Sequence, residues 1–169
     1  MSLAGNQEVP GAAVPTRHIA STAFGDLDIP EAAIMQFAEP LWGFPDRTEY
    51  ALLPGARAGL WWLQSVTNAA TVFILADPFV VDAAYDIDLS DADRNKLALT
   101  KPDQAMGLVM LSLPGAPDGA VTANFRAPIV FNVEHKVAAQ VVSRDESHDL
   151  RQPMDLTRYP LQDGGVSIG

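Results

Sequence analysis

The sequence predicts a mainly β fold: an antiparallel, barrel-like closed sheet with one or two short helices. Three observations predict it. Thirteen prolines are scattered along the chain, a pattern that suits many short strands better than long helices. Apolar runs around Leu60–Val66, Thr71–Leu75 and Ala105–Leu113 have strand length and few polar positions, so both faces need cover, as in a closed sheet. The run Val121–Asn132 reads as two short strands joined at Pro128, a corner of the kind that closed sheets use.

The elements follow in order. Met1–Thr16 holds two Pro and two Gly without a hydrophobic period, which reads as a disordered leader, residues 1–16. The domain then spans 17–143. His18–Phe24 and Leu27–Ile29 flank Gly25-Asp26, a hairpin with a tight turn. Ile19 and Phe24 break strict alternation and leave its register open. Pro30–Ile34 could open a helix, with Pro at the first position and Glu31 in the first turn. Pro40 would keep it short, and a turn followed by a strand at Met35–Phe37 is preferred. Glu49–Leu53 is strand-like and stops at Pro54-Gly55. Leu60–Val66 and Thr71–Leu75 pair across a turn at Asn68, and Asp77-Pro78 ends the second. Ser90 followed by Asp91 and Asp93 reads as a helix N-cap with acids in the first turn, and the helix runs to about Leu99. Ala105–Leu113 is a central strand, Pro114–Gly119 a loop, and Lys136–Val142 a last strand. Pro128 cannot donate to a ladder and pushes Ala127 into an extended conformation, so Val121–Phe125 and Ile129–Val133 form a bent strand or meet at a corner. From Ser143 the chain turns polar and proline-interrupted, and 144–169 reads as a loosely attached tail.

Composition narrows the function. Of 169 residues, 48% are hydrophobic and 19% charged, a globular balance. The formal charge of −10 argues against phosphate-backbone binding, which needs clustered Lys and Arg. It permits a basic protein partner, and it equally serves solubility. No apolar run reaches the roughly 18 residues of a membrane helix, and the start lacks the basic and apolar regions of a secretory signal. Cysteine is absent, which removes disulfides, thiolate metal sites and thiol nucleophiles. A cytoplasmic location is expected.

The densest charge lies in Asp77–Asp93, where Asp77, Asp82, Asp86, Asp88, Asp91 and Asp93 precede the first base, Arg94. Asp86-x-Asp88-x-Ser90 begins like a calcium loop, but Asp91 stands where the loop needs Gly and Leu97 where it needs a bidentate Glu. No metal and no cofactor are expected. The run reads either as a solvated strand edge with a helix cap or as an acidic contact surface with Phe79 and Tyr85 as aromatic anchors. His18, His135 and His148 lack zinc-ligand spacing, and Ser147-His148-Asp149 cannot align three adjacent residues as a triad. Trp61 and Trp62 point to opposite faces of a strand, with core packing for both the favoured reading. Gln64 and Asn124, within apolar strands, read as buried amides that tie loops.

Several segments, in order, resemble the FliW family of bacterial flagellar assembly factors. They are Phe24-Gly25 with Ile29, Phe37 with Trp42-Gly43-Phe44, Tyr50–Pro54, Leu63-Gln64-Ser65, Asp77-Pro78-Phe79, Tyr85-Asp86, and above all Thr122–Asn132 (TANFRAPIVFN). The resemblance covers about Ile19 to Ser143. One departure is Pro40-Leu41-Trp42-Gly43-Phe44, where the family often shows Gly-Ile-Pro-Gly-Phe, which leaves that loop's conformation open. The resemblance implies a small β-barrel-like binder that is not an enzyme. It implies two protein partners, the RNA-binding translational repressor CsrA and flagellin. Free protein would capture CsrA by an allosteric contact away from the RNA groove, and accumulated flagellin would capture the protein and restore repression. The partner surface is placed on Asp77, Phe79, Asp82, Tyr85, Asp86 and Asp88. Gln64, Asn124, Pro128 and Asn132 are read as structural positions. A monomer is expected, with no direct contact to nucleic acid or membrane. The other reading, a small ligand-binding or enzymatic barrel, predicts a deep polar pocket near Trp61 or Trp62.

Overall fold

In the computed structural model, which describes residues 14–115 and 119–166, alternation of side chains builds a closed barrel with a filled interior. Eleven strands are present among the described residues: β1 (Thr16–Ser21), β2 (Gly25–Pro30), β3 (Ile34–Phe37), β4 (Glu49–Pro54), β5 (Leu60–Ser65), β6 (Val72–Ala76), β7 (Ala105–Ser112), β8 (Thr122–Ala123), β9 (Ile129–Asn132), β10 (Val137–Gln140) and β11 (Gln152–Pro153). One short helix, α1 (Asp91–Lys96), accompanies them. The barrel runs β9-β10-β3-β4-β5-β6-β7 and closes where β7 pairs again with β9. Its pairings are antiparallel except for β10 against β3, which is parallel. The expected leader lies, over residues 1–13, outside the described residues, as do positions 116–118 of the expected loop.

Period-two patterning explains why the strands are apolar on both faces. Tyr50 and Leu52 of β4, Leu63 of β5, Leu75 of β6, Leu108 of β7 and Phe131 of β9 point into one core. The alternate residues point outward and are covered by three separate layers. The β1–β2 hairpin lays Ile19 and Ile29 over Ala51 and Leu53. The segment after β6 lays Tyr85 over Val109, Leu111 and Phe125. The turn after α1 lays Leu97 over Val130, Ala139 and Val141.

Local chemistry sets the boundaries. The hairpin turn falls at Thr22–Phe24 and not at Gly25-Asp26, because Ser21 pairs with Gly25 and the Ser21 hydroxyl accepts from the Ala23 and Phe24 amides. The stretch after Pro30 is a single 3₁₀ turn, Glu31–Ala33, followed by β3. Helix α1 starts with a capping box, in which Ser90 Oγ accepts from the Asp93 amide at 3.0 Å and Asp93 accepts in return. It stops at Lys96, short of Leu99, because Ala98 turns left-handed at φ 54°. The Asn132 amide then donates to the freed carbonyls of Leu97, at 2.8 Å, and Ala98, at 3.2 Å. Replacing Asn132 by Ala is expected to cost about 2 kcal/mol, since the Leu97 carbonyl stays buried without this donor. A shift of the urea midpoint at constant slope checks it.

The tail expectation needs correction. Residues 150–166 are docked, because β11 pairs with β8, Tyr159 is fully buried and the Trp62 indole donates to the Val166 carbonyl at 2.8 Å. Polar composition hid this, since the docking uses one aromatic side chain and backbone hydrogen bonds in place of an apolar period.

Candidate functional site

Gln64 is a fully buried amide that joins two loops to the barrel. Its Oε1 accepts from Ser21 at 2.8 Å, and its Nε2 donates to carbonyls of Ser65, at 3.0 Å, and of Asn68, at 3.3 Å. The Val121–Asn132 stretch is a corner in one long strand. β8 and β9 both pair with β7 on the same side, and Asn124–Pro128 bulge out between them opposite Val109 and Met110. Asn124 Oδ1 accepts from the amides of Arg126 and Ala127, both at 3.0 Å, and shapes the bulge. The Pro128 carbonyl accepts from the Val141 amide at 2.9 Å.

The acidic segment leaves the barrel after β6 and returns through α1 to β7. It is fastened at four points. Asp77 caps the 3₁₀ turn Pro78–Val80 through the Phe79 amide at 2.9 Å, and its carbonyl accepts from the Tyr159 hydroxyl at 2.7 Å. Tyr85 packs its ring edge against Phe125, centroids 5.0 Å apart, and its hydroxyl donates to the Phe125 carbonyl at 2.7 Å. Ile87 lies on Gly107, where an added Cβ would fall 2.2 Å from Ile87 Cδ1. Gly107→Val is therefore expected to lower stability by about 2 kcal/mol or more through overpacking, read from the thermal midpoint. Asp88 accepts two hydrogen bonds from Arg144, at 3.0 and 2.9 Å.

The charges follow from these contacts. Arg144 holds the exposed Asp88 carboxyl below the usual carboxylate range by hydrogen bonding. A depressed carboxylate stabilises the fold above its unfolded-state pKa, and that contribution disappears as pH falls through the lower folded value. Arg144→Gln is expected to return the Asp88 titration toward the ordinary range, which carbon-detected NMR would show. Burial pushes the Tyr85 phenol far above its ordinary range, so it stays a protonated donor.

The predicted partner residues divide accordingly. Phe79, at 44% exposure, and Asp82, Asp86 and Asp88 face solvent. Asp77 is half-buried and works as a cap. Tyr85, at 4% exposure, corrects the anchor reading: its ring belongs to the core beneath the corner and is not presented to a partner. Asp82 Oδ1 accepts from the Ala84 amide, whereas Asp86 makes no side-chain hydrogen bond among the described residues. A groove of about 290 Å³ separates Asp86–Leu89 from Leu99–Pro102, with Arg94 and Lys101 on its lining. The acidic face thus borders Arg94, its neighbour in sequence, and Lys101, and it is pinned by Arg144, which lies 56 residues from Asp88.

The other chemical readings fare differently. Two surface grooves of about 360 and 220 Å³ touch Trp61; Asp77 is the one ionisable residue lining the first, and Arg57 the one lining the second. Trp61 packs against the barrel interior, and Trp62 lies on the outer face beneath the hairpin and the docked tail. Ser147, His148 and Asp149 do not assemble. His148 Nδ1 instead meets the buried Ser143 hydroxyl at 2.7 Å, and its ring lies tilted against Tyr85, centroids 4.7 Å apart. Leu97, at the calcium-loop position that needs Glu, is fully buried. Among the described residues, no three His, Asp or Glu side chains come together as a metal-binding group.

The family model described as FliW protein matches residues 18–154. The chain belongs to the FliW family. It is 35% identical over 134 residues to the flagellar assembly factor FliW of Syntrophus aciditrophicus, covering 79% of this chain and 84% of that one. It is 35% identical over 124 residues to the Geobacillus thermodenitrificans FliW, covering 73% and 85%. A crystal structure of the flagellar assembly factor FliW superposes with a TM-score of 0.73 at 30% identity, covering 81% of this chain and 96% of that chain. FliW is a family of flagellar assembly factors and not an enzyme family. In this FliW chain, no helix among the described residues is long and apolar enough to cross a membrane.

Proposed function

We propose that this chain works as a flagellar assembly factor by binding proteins: it sequesters a CsrA-type translational repressor by an allosteric contact and binds flagellin, coupling flagellin synthesis to assembly. Family membership over residues 18–154 carries the proposal. The filled barrel interior supports a role exercised at the surface. The net charge of −10 suits a basic RNA-binding partner. The contact surface for that partner is the exposed side of the acidic segment, namely Phe79, Asp82 and Asp86, with Asp88 at its edge. The protein acts in the cytoplasm as a monomer, without touching nucleic acid itself.

Binding of the purified chain to CsrA and to flagellin, measured separately by calorimetry, tests the function, and no heat with either protein overturns it. The surface has its own test. Asp82→Lys with Asp86→Lys is expected to slow association with CsrA roughly tenfold at low salt, with the thermal midpoint unchanged, and the slowing shrinks as salt rises. Asp88 is left out of that pair because reversing it also breaks its contact with Arg144. Unchanged association kinetics would move the contact surface elsewhere on the barrel.

A further inference from the structure

The segment 155–166 lies beyond the family match, which ends at residue 154. It crosses the outside of the barrel along the β4–β5 turn like a bound peptide. Backbone hydrogen bonds and side-chain ones from Arg57, Trp62 and Gln162 share the holding. The Ala58 amide donates to the Pro160 carbonyl at 2.7 Å, the Gln162 amide to Ala56 at 2.9 Å and the Val166 amide to Pro54 at 2.8 Å. Arg57 Nη1 donates to the Tyr159 carbonyl at 2.9 Å, and Arg57 and Leu161 form an isolated antiparallel bridge. This is the pattern by which an extended peptide adds to a chain edge.

Side chains supply one anchor. Tyr159 is the single buried side chain of the segment, set against Gly59, where a Cβ would fall 2.9 Å from its ring. Leu161 is 74% exposed, and Asp155, Thr157, Arg158, Pro160, Gln162 and Asp163 are exposed as well. Two glycines let the far end approach: Gly164 is left-handed at φ 80°, and a Cβ on Gly165 would fall 1.9 Å from the Gly55 carbonyl oxygen. A segment with one fully buried side chain, Leu156 and Val166 half-buried on the core, and part-buried hydrogen bonds opens more readily than a barrel strand.

We infer that the surface formed by Pro54–Trp62 is a docking groove for an extended peptide with an aromatic anchor, and that segment 155–166 is its built-in, removable occupant. Tethering through β11 gives this occupant a high effective concentration, so an incoming peptide of like chemistry must displace it. The strap also touches the acidic segment, because the Tyr159 hydroxyl bonds to Asp77 and Arg158 reaches the Val81 carbonyl at 3.5 Å. Opening the strap therefore loosens the turn that carries Phe79.

Two measurements on the full chain test it. In native-state hydrogen exchange of the unaltered protein, the amides of Ala58, Gln162 and Val166 are expected to exchange at least a hundredfold faster than the Leu63 amide in the barrel. Equal rates would overturn the strap, because the segment would then open only with the whole fold. In the second, a fluorescent synthetic peptide of residues 155–166 is titrated into the unaltered chain, Tyr159→Ala and Gly165→Ala. Saturable binding to either variant, at least tenfold tighter than to the unaltered chain, supports a groove that its own strap occupies. Binding to none of the three overturns it. Loss of the shifted Trp62 indole proton signal in Gly165→Ala would report release of the far end.

Discussion

Gln64→Leu is expected to lower stability by about 3 kcal/mol or more, among the largest losses that any single substitution in this chain would cause. The reason is asymmetry. Leucine is close in volume, so little cavity opens, but every partner of the amide stays behind. The buried Ser21 hydroxyl loses its acceptor and the buried Ser65 carbonyl loses the amide donor, while the Asn68 carbonyl keeps the Thr71 amide. Each buried group left unpaired costs about 1–3 kcal/mol. The loss should be local in its first effects. The β1–β2 hairpin and the Val66–Thr71 connection are joined through Gln64, so their amides should exchange faster than those of β7. Urea denaturation and residue-resolved exchange measure both. A variant as stable as the parent would show that the hairpin is held by Ile19 and Ile29 alone.

Tyr85→Ala is expected to cost about 3–5 kcal/mol, the usual range for emptying a buried aromatic site. Tyr85→Phe separates the two parts of that loss. It keeps the ring on Phe125 and removes only the donor to the Phe125 carbonyl, for about 1–3 kcal/mol. The same pair probes function, because Tyr85 holds the acidic segment against the corner. Tyr85→Ala should weaken binding of a partner to Asp82 and Asp86 by loosening the segment, while leaving its charge unchanged. A Phe variant equal to the parent in the urea midpoint would rule out the hydrogen bond as a contributor.

The same residues show how far the sequence could be read. Strand positions followed from short apolar runs bounded by turn residues, and the runs are apolar throughout because each of β4 to β7 carries an inward and an outward apolar set. The cap at Ser90 was legible because its acceptor and Asp93 are three residues apart. The hairpin turn was misplaced by a few residues, because Gly25 takes its left-handed conformation at the first strand position after the turn. The end of α1 was misplaced because its cap comes from Asn132, 35 residues from Leu97. Tyr85 was read as a surface anchor because its sequence neighbours are acidic, whereas its spatial neighbours are Phe125 and His148. The docked tail was missed for a similar reason: a single buried tyrosine leaves no period to detect.

By itself, then, the sequence determined what local physics controls: strand length from apolar runs ended by turn residues, the helix start from its cap, the corner from Pro128, and the family from the order of these signals. Tertiary structure alone decided which of the acids face solvent, which carbonyls the Tyr85 and Tyr159 hydroxyls meet, and that β7 closes the barrel on β9. Those outcomes depend on partners far apart in sequence, 40 residues for Tyr85 and Phe125 and 82 for Asp77 and Tyr159. The energy of such a contact comes from excluding water around a particular pair, and no window of the chain contains both members.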